Sequence, residues 1–559
     1  GSSLIDMYAK FGRLDEANTV FRNMVLRDVA SWGAMVSGYV QHSYSRLAIE
    51  LFKEMQFEDV KPDIVIFSCV LKACGQIEAL KEGKLIHGMI LRGGFELGSN
   101  LLLGNTLIDM YGKCASLEDA QITFDNMVPQ DAVSWSTLIA GYTNNGCELS
   151  ALQLFEEMQA RRVNPVKTTY LSVLKACGNV ESLHHARVLH NKIIRNEKLM
   201  DQEIGNSLLD VYAKCKQMYD AQSVFDDLPV RNDVSWNVLI AGYAGCNEYL
   251  NALKLFEEMQ EEGFKPSEIT MSVILKACGS TKTLEHGQSI HKKIIQNQVA
   301  CDKVVQNTLI DMYIKCGNIK EAQNAFDEML SKDIVSWGVI ISGNVQHGYS
   351  RHAFELFDEM QNKNIQPNDV IFSSILKACG NIGSLKKGQL VHDVIAKESF
   401  EKDILISNAI VHMYAKCGAL VTAQEVFDNI SFPDLVTWNT LLGGYVQYGY
   451  AKEVLHCFQQ MQLCSISPNA ISFIFCLKAC SSGRIAVKGK QVHAITSTLP
   501  IGIDVTSCST LVNMYAKCGH FREAQEMLDQ LSVKDLVSWT MLITGYAENG
   551  HGEEALKCY

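Results

Sequence analysis

Six tryptophans punctuate this chain of 559 residues: Trp32, Trp135, Trp236, Trp337, Trp438 and Trp539. The first interval is 103 residues and the other four are 101 each. Each tryptophan follows a Ser or Thr and stands three residues before an apolar pair, as in Ser31-Trp32 and Ser538-Trp539. A fixed period of this kind constrains the fold severely. Each unit of a solenoid must bury the same face against the same neighbouring face, whereas a single globular core has no need to repeat itself. The chain therefore reads as one array, with its function on a repeated surface rather than in one pocket.

Apolar residues make up 47% of the chain and only nine residues are proline, so a large core and extensive helix are both affordable. No run of eighteen or more apolar residues occurs, so no membrane span is expected. Gly1-Ser2 reads as a cloning scar, and the chain opens and closes inside a unit, as a segment of a longer protein would. Ten of the nineteen cysteines are periodic. Cys74, Cys177, Cys278, Cys379 and Cys480 end a K-A-C phrase, and Cys114, Cys215, Cys316, Cys417 and Cys518 follow Y-x-K. With no CxxC pair anywhere, they read as small buried apolar residues in a reducing compartment. The formal net charge of −12 is the wrong sign for binding a polyanion through bulk charge, so such binding would need locally placed cations.

The 101-residue period is composite. A Leu-Lys-Ala-Cys phrase follows each tryptophan phrase, and an Asn/Ser-x-Leu-[ILV]-x-[MV]-Tyr phrase follows that, giving units of 35, 35 and 31 residues. The first K-A-C unit has 37, with two extra residues around 94–100, which accounts for the 103-residue interval. Within 101–131, Leu107, Ile108, Tyr111 and Cys114 form one helical stripe and Leu117, Ala120, Phe124 and Met127 a second. Ala115-Ser116 is expected to start the second helix, with Glu118 and Asp119 in its first turn. Each unit is thus a helical hairpin, and roughly sixteen stack in series.

Tetratricopeptide repeats share the hairpin but keep a uniform 34-residue period. The 35-35-31 cycle, with V-S-W-N-x-L-I-x-G-Y, F-S-x-x-L-K-A-C-G and N-x-L-I-D-M-Y-x-K-C-G at the three openings, resembles the PLS class of pentatricopeptide repeat proteins of plant organelles. The tryptophan units match its P-type motifs, the K-A-C units its L-type and the 31-residue units its S-type. The order would be a partial S unit (1–28), triplets at 29–131, 132–232, 233–333, 334–434 and 435–535, then a P unit cut short at 536–559. The resemblance implies an all-α, right-handed solenoid superhelix of helix-turn-helix repeats. It also implies sequence-specific binding of single-stranded RNA, for most members as the recognition segment of a C-to-U editing factor in mitochondria or chloroplasts. A transit peptide is absent from this segment. RNA binding for splicing or transcript stability, or a protein-binding scaffold, are the alternatives.

By the family rule, the fifth and last residues of each P or S unit together read one base, the RNA running 5′ to 3′ from N to C terminus. An asparagine amide offers both a donor and an acceptor, so with a second polar group it can match one base edge and reject another. The competing reading is that Asn at the fifth position merely caps the first helix. Against it stands the variation of the last residue among Asp, Asn and Ser. Carried over, Asn105 with Asp131, Asn307 with Asp333 and Asn408 with Asp434 imply U. Asn206 with Asn232 and Asn439 with Asn469 imply a pyrimidine, C favoured, and Asn237 with Ser267 implies C. Ser509 with Asp535 points to G. Gly33 with Asp63 and Gly338 with Asn368 depart from the pattern and point to purines, while Ser136 with Val166 is not expected to discriminate. Leu171 and Ile474, at the fifth position of two L-type units, cannot hydrogen-bond a base, so those units would space rather than read. The implied partner is a pyrimidine-rich single strand, with a deaminase domain or other editing-complex proteins beside it.

Two further sets accompany these. The second residue of each reading unit resembles an aliphatic wedge beside the base: Leu102, Val133, Val234, Val304, Val335, Leu405, Val436 and Val537, with Glu203 and Thr506 as exceptions. Lys10, Lys113, Lys214, Lys315, Lys416 and Lys517 recur eight residues after the reading residue of the S-type units, on roughly the same side of the helix. They are the expected phosphate contacts. His551-Gly552-Glu553 matches half of a zinc-deaminase motif, but no P-C-x-x-C follows, so it belongs to the repeat. His87, His190, His291, His392 and His493 lie about 101 residues apart, too far in sequence to share one metal, and read as structural. No catalytic constellation, cofactor motif or metal cluster is legible, so the chain is not expected to be an enzyme by itself.

Overall fold

Asp28 shows how a unit opens. Its carboxylate accepts the Ser31 backbone N–H at 2.9 Å, satisfying an orphan donor of the helix Val29–Gln41. The same device recurs along the computed structural model, which describes residues 1–95, 100–195, 200–296, 302–397, 403–498, 505–530 and 536–559. Among the described residues all regular structure is helical, in 34 helices paired as hairpins. No helix there is long and apolar enough to cross a membrane.

The second triplet illustrates the pattern. Its tryptophan hairpin is Ala132–Asn144 with Glu148–Ala160, its K-A-C hairpin Lys167–Asn179 with Leu183–Arg195, and its tyrosine hairpin Gln202–Lys214 with Met218–Asp226. The tyrosine hairpins are shorter because their second helix has 9 residues where the others have 13. A loss of four residues is close to one helical turn of 3.6, so the buried stripe keeps its phase. The turn inside each tyrosine hairpin needs a left-handed residue: Gly317, Gly418 and Gly519 supply it, and Ala115 and Lys216 adopt it at φ +57°. Ala115 therefore lies in the turn rather than opening the second helix, which begins at Leu117. Ser116 does not cap it conventionally, since its hydroxyl donates to Asp119 Oδ2 at 2.6 Å.

The chain divides into two compact units, Gly1–Ala277 and Cys278–Tyr559, built alike from these hairpins. Trp32, Trp135, Trp236, Trp337 and Trp438 are buried, each edge-on to a phenylalanine of the preceding hairpin (Phe21, Phe124, Phe225, Phe326 and Phe427) at 4.6–4.8 Å between ring centres. Their indole N–H groups have no partner. These rings are packing groups. The K-A-C cysteines are fully buried, and burial pushes Cys74, Cys177 and Cys379 up to about 12. The Y-x-K cysteines differ from expectation in being only half-buried. The Cys316, Cys417 and Cys518 thiols lie 3.8 Å from the carbonyls of Cys278, Cys379 and Cys480.

The periodic histidines join the K-A-C hairpins to the tyrosine hairpins. Nδ1 of His87, His190, His291, His392 and His493 lies 2.8–3.0 Å from the hydroxyl of Tyr111, Tyr212, Tyr313, Tyr414 and Tyr515. Burial pushes His87, His190, His291 and His493 down and Tyr111, Tyr212 and Tyr313 up to about 12. Both rings are thus neutral at pH 7, and each pair packs edge-on.

Candidate functional site

The last residue of each unit is the N-cap of the next unit's first helix. Oδ1 of Asp63, Asp131, Asn232, Asp333, Asn368, Asp434 and Asn469 accepts a backbone N–H three residues on, at 2.8–3.1 Å. Ser267 Oγ does the same for Thr270 at 3.2 Å. Val166 occupies the slot with no acceptor to offer. Asp535 lies outside the described residues. This geometry corrects one argument from sequence. Variation among Asp, Asn and Ser is what an N-cap position tolerates by itself. The fifth residues, in contrast, lie one turn inside the helix and cap nothing.

Fold geometry brings the two positions together. Asn206 Nδ2 donates to Asn232 Oδ1 at 3.4 Å, Asn408 Nδ2 to Asp434 Oδ1 at 3.4 Å, and Asn439 Nδ2 to Asn469 Oδ1 at 3.2 Å. Asn105 and Asn307 likewise lie beside Asp131 and Asp333, whose carboxyl groups they help to lower. Burial alone would raise the carboxyl groups of Asp131, Asp333 and Asp434. Hydrogen bonds from the capped N–H, from the Ser134, Ser336 or Thr437 hydroxyl, and from the asparagine outweigh it and hold them below the ordinary range. They stay ionised at neutral pH.

The two kinds of junction part company at the amide oxygen. In the tyrosine helices, Oδ1 of Asn105, Asn206, Asn307 and Asn408 is buried with no hydrogen-bond partner. In the tryptophan helices it is occupied: Asn439 Oδ1 accepts from Ser472 Oγ at 2.7 Å, and Asn237 Oδ1 accepts from Thr270 Oγ1. Ser136 gives its proton to the Ala132 carbonyl at 2.6 Å, so the Thr169 hydroxyl 2.5 Å away donates to it. Where the fifth residue is glycine the partner is apolar. A Cβ on Gly33 would meet Ile66 at 3.5 Å, and one on Gly338 would meet Ile371 at 3.7 Å. The third residue of the K-A-C helix was missed by sequence reasoning, although its signal was present: 33 positions separate Gly33–Ile66, Ser136–Thr169, Asn237–Thr270, Gly338–Ile371 and Asn439–Ser472. At the tyrosine junction that contains Ser509, its hydroxyl lies 2.8 Å from that of Ser538.

Three pockets open over these junctions. One of about 580 Å³ is bounded by Val436, Asn439, Asn469, Ile471, Phe475, His412 and Lys416. A second, about 610 Å³, includes Val234, Asn237, Ile269, Asp210 and Lys214. A third, about 360 Å³, includes Val133, Ser136, Thr168, Asp109 and Lys113. Each thus sets the second residue of a tryptophan helix opposite the second residue of the next K-A-C helix, with the fifth residue between. The second-position residues Leu102, Val133, Val234, Val304, Val335, Leu405, Val436 and Val537 are all exposed, as are Ile269 and Ile471. Unpartnered aliphatic groups repeated at one register make a surface suited to a flat apolar ligand.

The lysines are placed at these pockets but are less available than expected. Lys10, Lys113, Lys214 and Lys315 each pair with an aspartate one turn earlier (Asp6, Asp109, Asp210, Asp311) at 2.7–2.8 Å, and Lys517 lies 3.6 Å from Glu548. Lys416 has His412 one turn earlier and no carboxylate within reach among the described residues. Burial, then Lys416 and Lys377, push the His412 imidazole down, so it is neutral and adds no second cation beside Lys416. Among the described residues no group of acidic, histidine or cysteine side chains is placed to hold a metal.

Comparison with known proteins follows the same hairpins. The PPR repeat family model matches 27–76, 130–179, 231–280, 332–381 and 433–482, and the PPR repeat model matches 2–29, 206–232, 307–334, 506–536 and 537–559. A mitochondrial pentatricopeptide repeat-containing protein of Arabidopsis thaliana is 32% identical over 99% of this chain and 72% of its own length. A second mitochondrial one is 33% identical over 100% of this chain and 67% of its own length. A chloroplastic one is 31% identical over 96% of this chain, which spans 66% of that relative. Crystal structures of the maize pentatricopeptide repeat protein PPR10 share the fold: one has a TM-score of 0.68 at 20% identity, covering 99% of this chain and 84% of that one. Another, in complex with an 18-nucleotide psaJ RNA element, has a TM-score of 0.58 at 18% identity, covering 100% of this chain and 83% of that one.

Proposed function

Because the chain belongs to the pentatricopeptide repeat family, we propose that it binds single-stranded RNA sequence-specifically, as the recognition segment of an organellar C-to-U editing factor of the PLS class. One base enters each junction that follows a tryptophan or tyrosine helix, stacks between second-position aliphatic residues, and meets the fifth and last residues at its polar edge. The observation that carries this reading is the adjacency of those two polar residues at pockets walled by exposed aliphatic groups. The K-A-C helices contribute through Ile269, Ile471 and Thr168, which close pockets whose polar edge belongs to their neighbours. The RNA-bound relative of the same fold supports the choice of ligand, and the mitochondrial and chloroplastic relatives support the organellar address.

In this reading the last residue does two jobs, capping a helix and presenting the rest of its polar group. Specificity then resides in base contacts and affinity in phosphate contacts, of which Lys416 is the strongest. Deamination itself belongs to a further domain or a partner. The test is Asn307→Thr. The reading expects the preference at one nucleotide to move from U towards G with the others intact, measured by selection from a random RNA pool. Binding undetectable at low salt would leave a protein-binding scaffold instead.

A further inference from the structure

We propose that Thr270 and Ser472, the third residues of two K-A-C helices, are positioning residues that select cytosine over uracil at the junctions containing Asn237 and Asn439. The inference rests on the base-reading role proposed above and adds a third determinant to it.

Asn469 Oδ1 accepts the Ser472 backbone N–H at 3.1 Å, so the Asn469 atom facing Asn439 is an acceptor. Asn439 must therefore turn Nδ2 towards it, as the 3.2 Å contact shows. That leaves Oδ1 facing Ser472 Oγ, which donates to it at 2.7 Å, the shorter of its two acceptor distances, Asn469 Oδ1 being 3.1 Å away. Two bonds now fix one amide, and a flip would set acceptor against acceptor at Asn469. With its oxygen engaged, Asn439 offers a ligand chiefly its second N–H. Ring nitrogen N3 of cytosine is an acceptor and fits that donor; N3 of uracil carries a proton and opposes it. At Asn237 the Thr270 hydroxyl takes the same acceptor, and Ser267 Oγ lies 2.8 Å from Thr270 Oγ1, which holds that hydroxyl in place.

The tyrosine junctions supply the internal control. Ser235, also the third residue of its helix, sends its hydroxyl to the Asn232 carbonyl at 2.8 Å, and Asn206 Oδ1 has no partner. That oxygen is buried, and no protein hydroxyl competes there with the N3–H of uracil. Asn206 with Asn232 and Asn439 with Asn469 are the same fifth-and-last pair, yet the first accepts U and C while the second rejects U. The complementary substitution at other junctions supports a direct partnership: Ile66 and Ile371 stand opposite Gly33 and Gly338, where no amide needs orienting.

The experiment uses the full chain and pairs of single-stranded RNA oligonucleotides that differ only by C or U at the position of the Asn439 junction, located by selection from a random pool. Ser472→Ala is expected to lower the C-to-U affinity ratio roughly five- to tenfold, the worth of one lost hydrogen bond, with preferences at other positions unchanged. Ser472→Thr keeps the hydroxyl and should restore the ratio. An unchanged ratio with binding retained overturns the proposal, as does an equal loss of affinity for both oligonucleotides. Should Ser472→Ala lose its helical circular dichroism, the isosteric Thr270→Val gives the same readout at Asn237. If the unmodified chain binds RNA but Asn439→Ala leaves the C-to-U ratio unaltered, the base-reading role fails first and this inference with it.

Discussion

Asn206 with Asn232 and Asn439 with Asn469 are the same two side chains at the same helical positions, yet their hydrogen bonding differs. In the first pair the amide oxygen is buried and unpaired; in the second a serine hydroxyl occupies it. Both following helices carry serine at their third position. The difference comes from spacing: 29 residues separate Asn206 from Ser235 and 33 separate Asn439 from Ser472. A second helix shorter by one turn changes how the next helix meets its predecessor, and the hydroxyl then reaches the cap carbonyl instead of the amide. Identical residues thus present different chemistry because hairpins of different length hold them.

The two junctions share a scaffold, and the largest effect is expected from removing it. Trp236→Ala deletes a buried ring packed against Phe225 and should cost about 3–5 kcal/mol in chemical denaturation, damaging both pocket types together. An effect confined to one junction would mean the tryptophans do more than pack.

Next come the caps, which differ in charge between the junctions. Replacing Asp434 or Asn469 by Ala should each cost about 1 kcal/mol at pH 7. Only Asp434 should add acid sensitivity. Its folded-state carboxyl is held below the unfolded value near 3.9, so its contribution is present above that pH and is lost as pH falls through the folded value. Equal acid profiles for Asp434→Ala and Asn469→Ala would remove that distinction.

The lysines sharpen the contrast between pockets. Lys416→Ala should weaken RNA binding by about 1 kcal/mol and reduce the salt slope by roughly one, whereas Lys214→Ala, already paired with Asp210, should do less. Equal slopes would show that ion pairing within the helix does not compete with RNA.

Acid should also probe the third kind of junction, where histidine meets tyrosine. Burial holds His87, His190, His291 and His493 below their unfolded value near 6.5, so their neutral forms favour the folded state. Their contribution is intact above that pH, begins to fall below it, and is gone once pH passes the folded values. The melting temperature should therefore decline between pH 7.5 and 5, and less steeply when His190 is replaced by Gln. The smallest effect is expected at Ser235. Ser235→Ala should change the C-to-U ratio at the Asn206 junction by less than about twofold, because its hydroxyl serves a backbone carbonyl and not the amide.

Several elements were legible in the residues themselves. The tryptophan clock announced a repeated core, and Trp32 to Trp438 are that core. The helical stripes in 101–131 match the helices Leu101–Lys113 and Leu117–Asp125. Other features were read incompletely. The lysines look like free cations until the aspartate four residues earlier in the same helix is counted, an i, i+4 spacing at which an ion pair forms. The Y-x-K cysteines looked like their buried K-A-C counterparts, but they lie at the helix end, where the following turn leaves them half-covered.

By itself the sequence determined the period, the helical hairpins and the register of the second-position aliphatic residues, because each follows from local pattern and short-range backbone bonding. Only the tertiary structure decided which hydroxyl reaches which amide. That outcome depends on how one helix lies against the next, a relation that a one-turn change in a neighbouring helix is enough to alter.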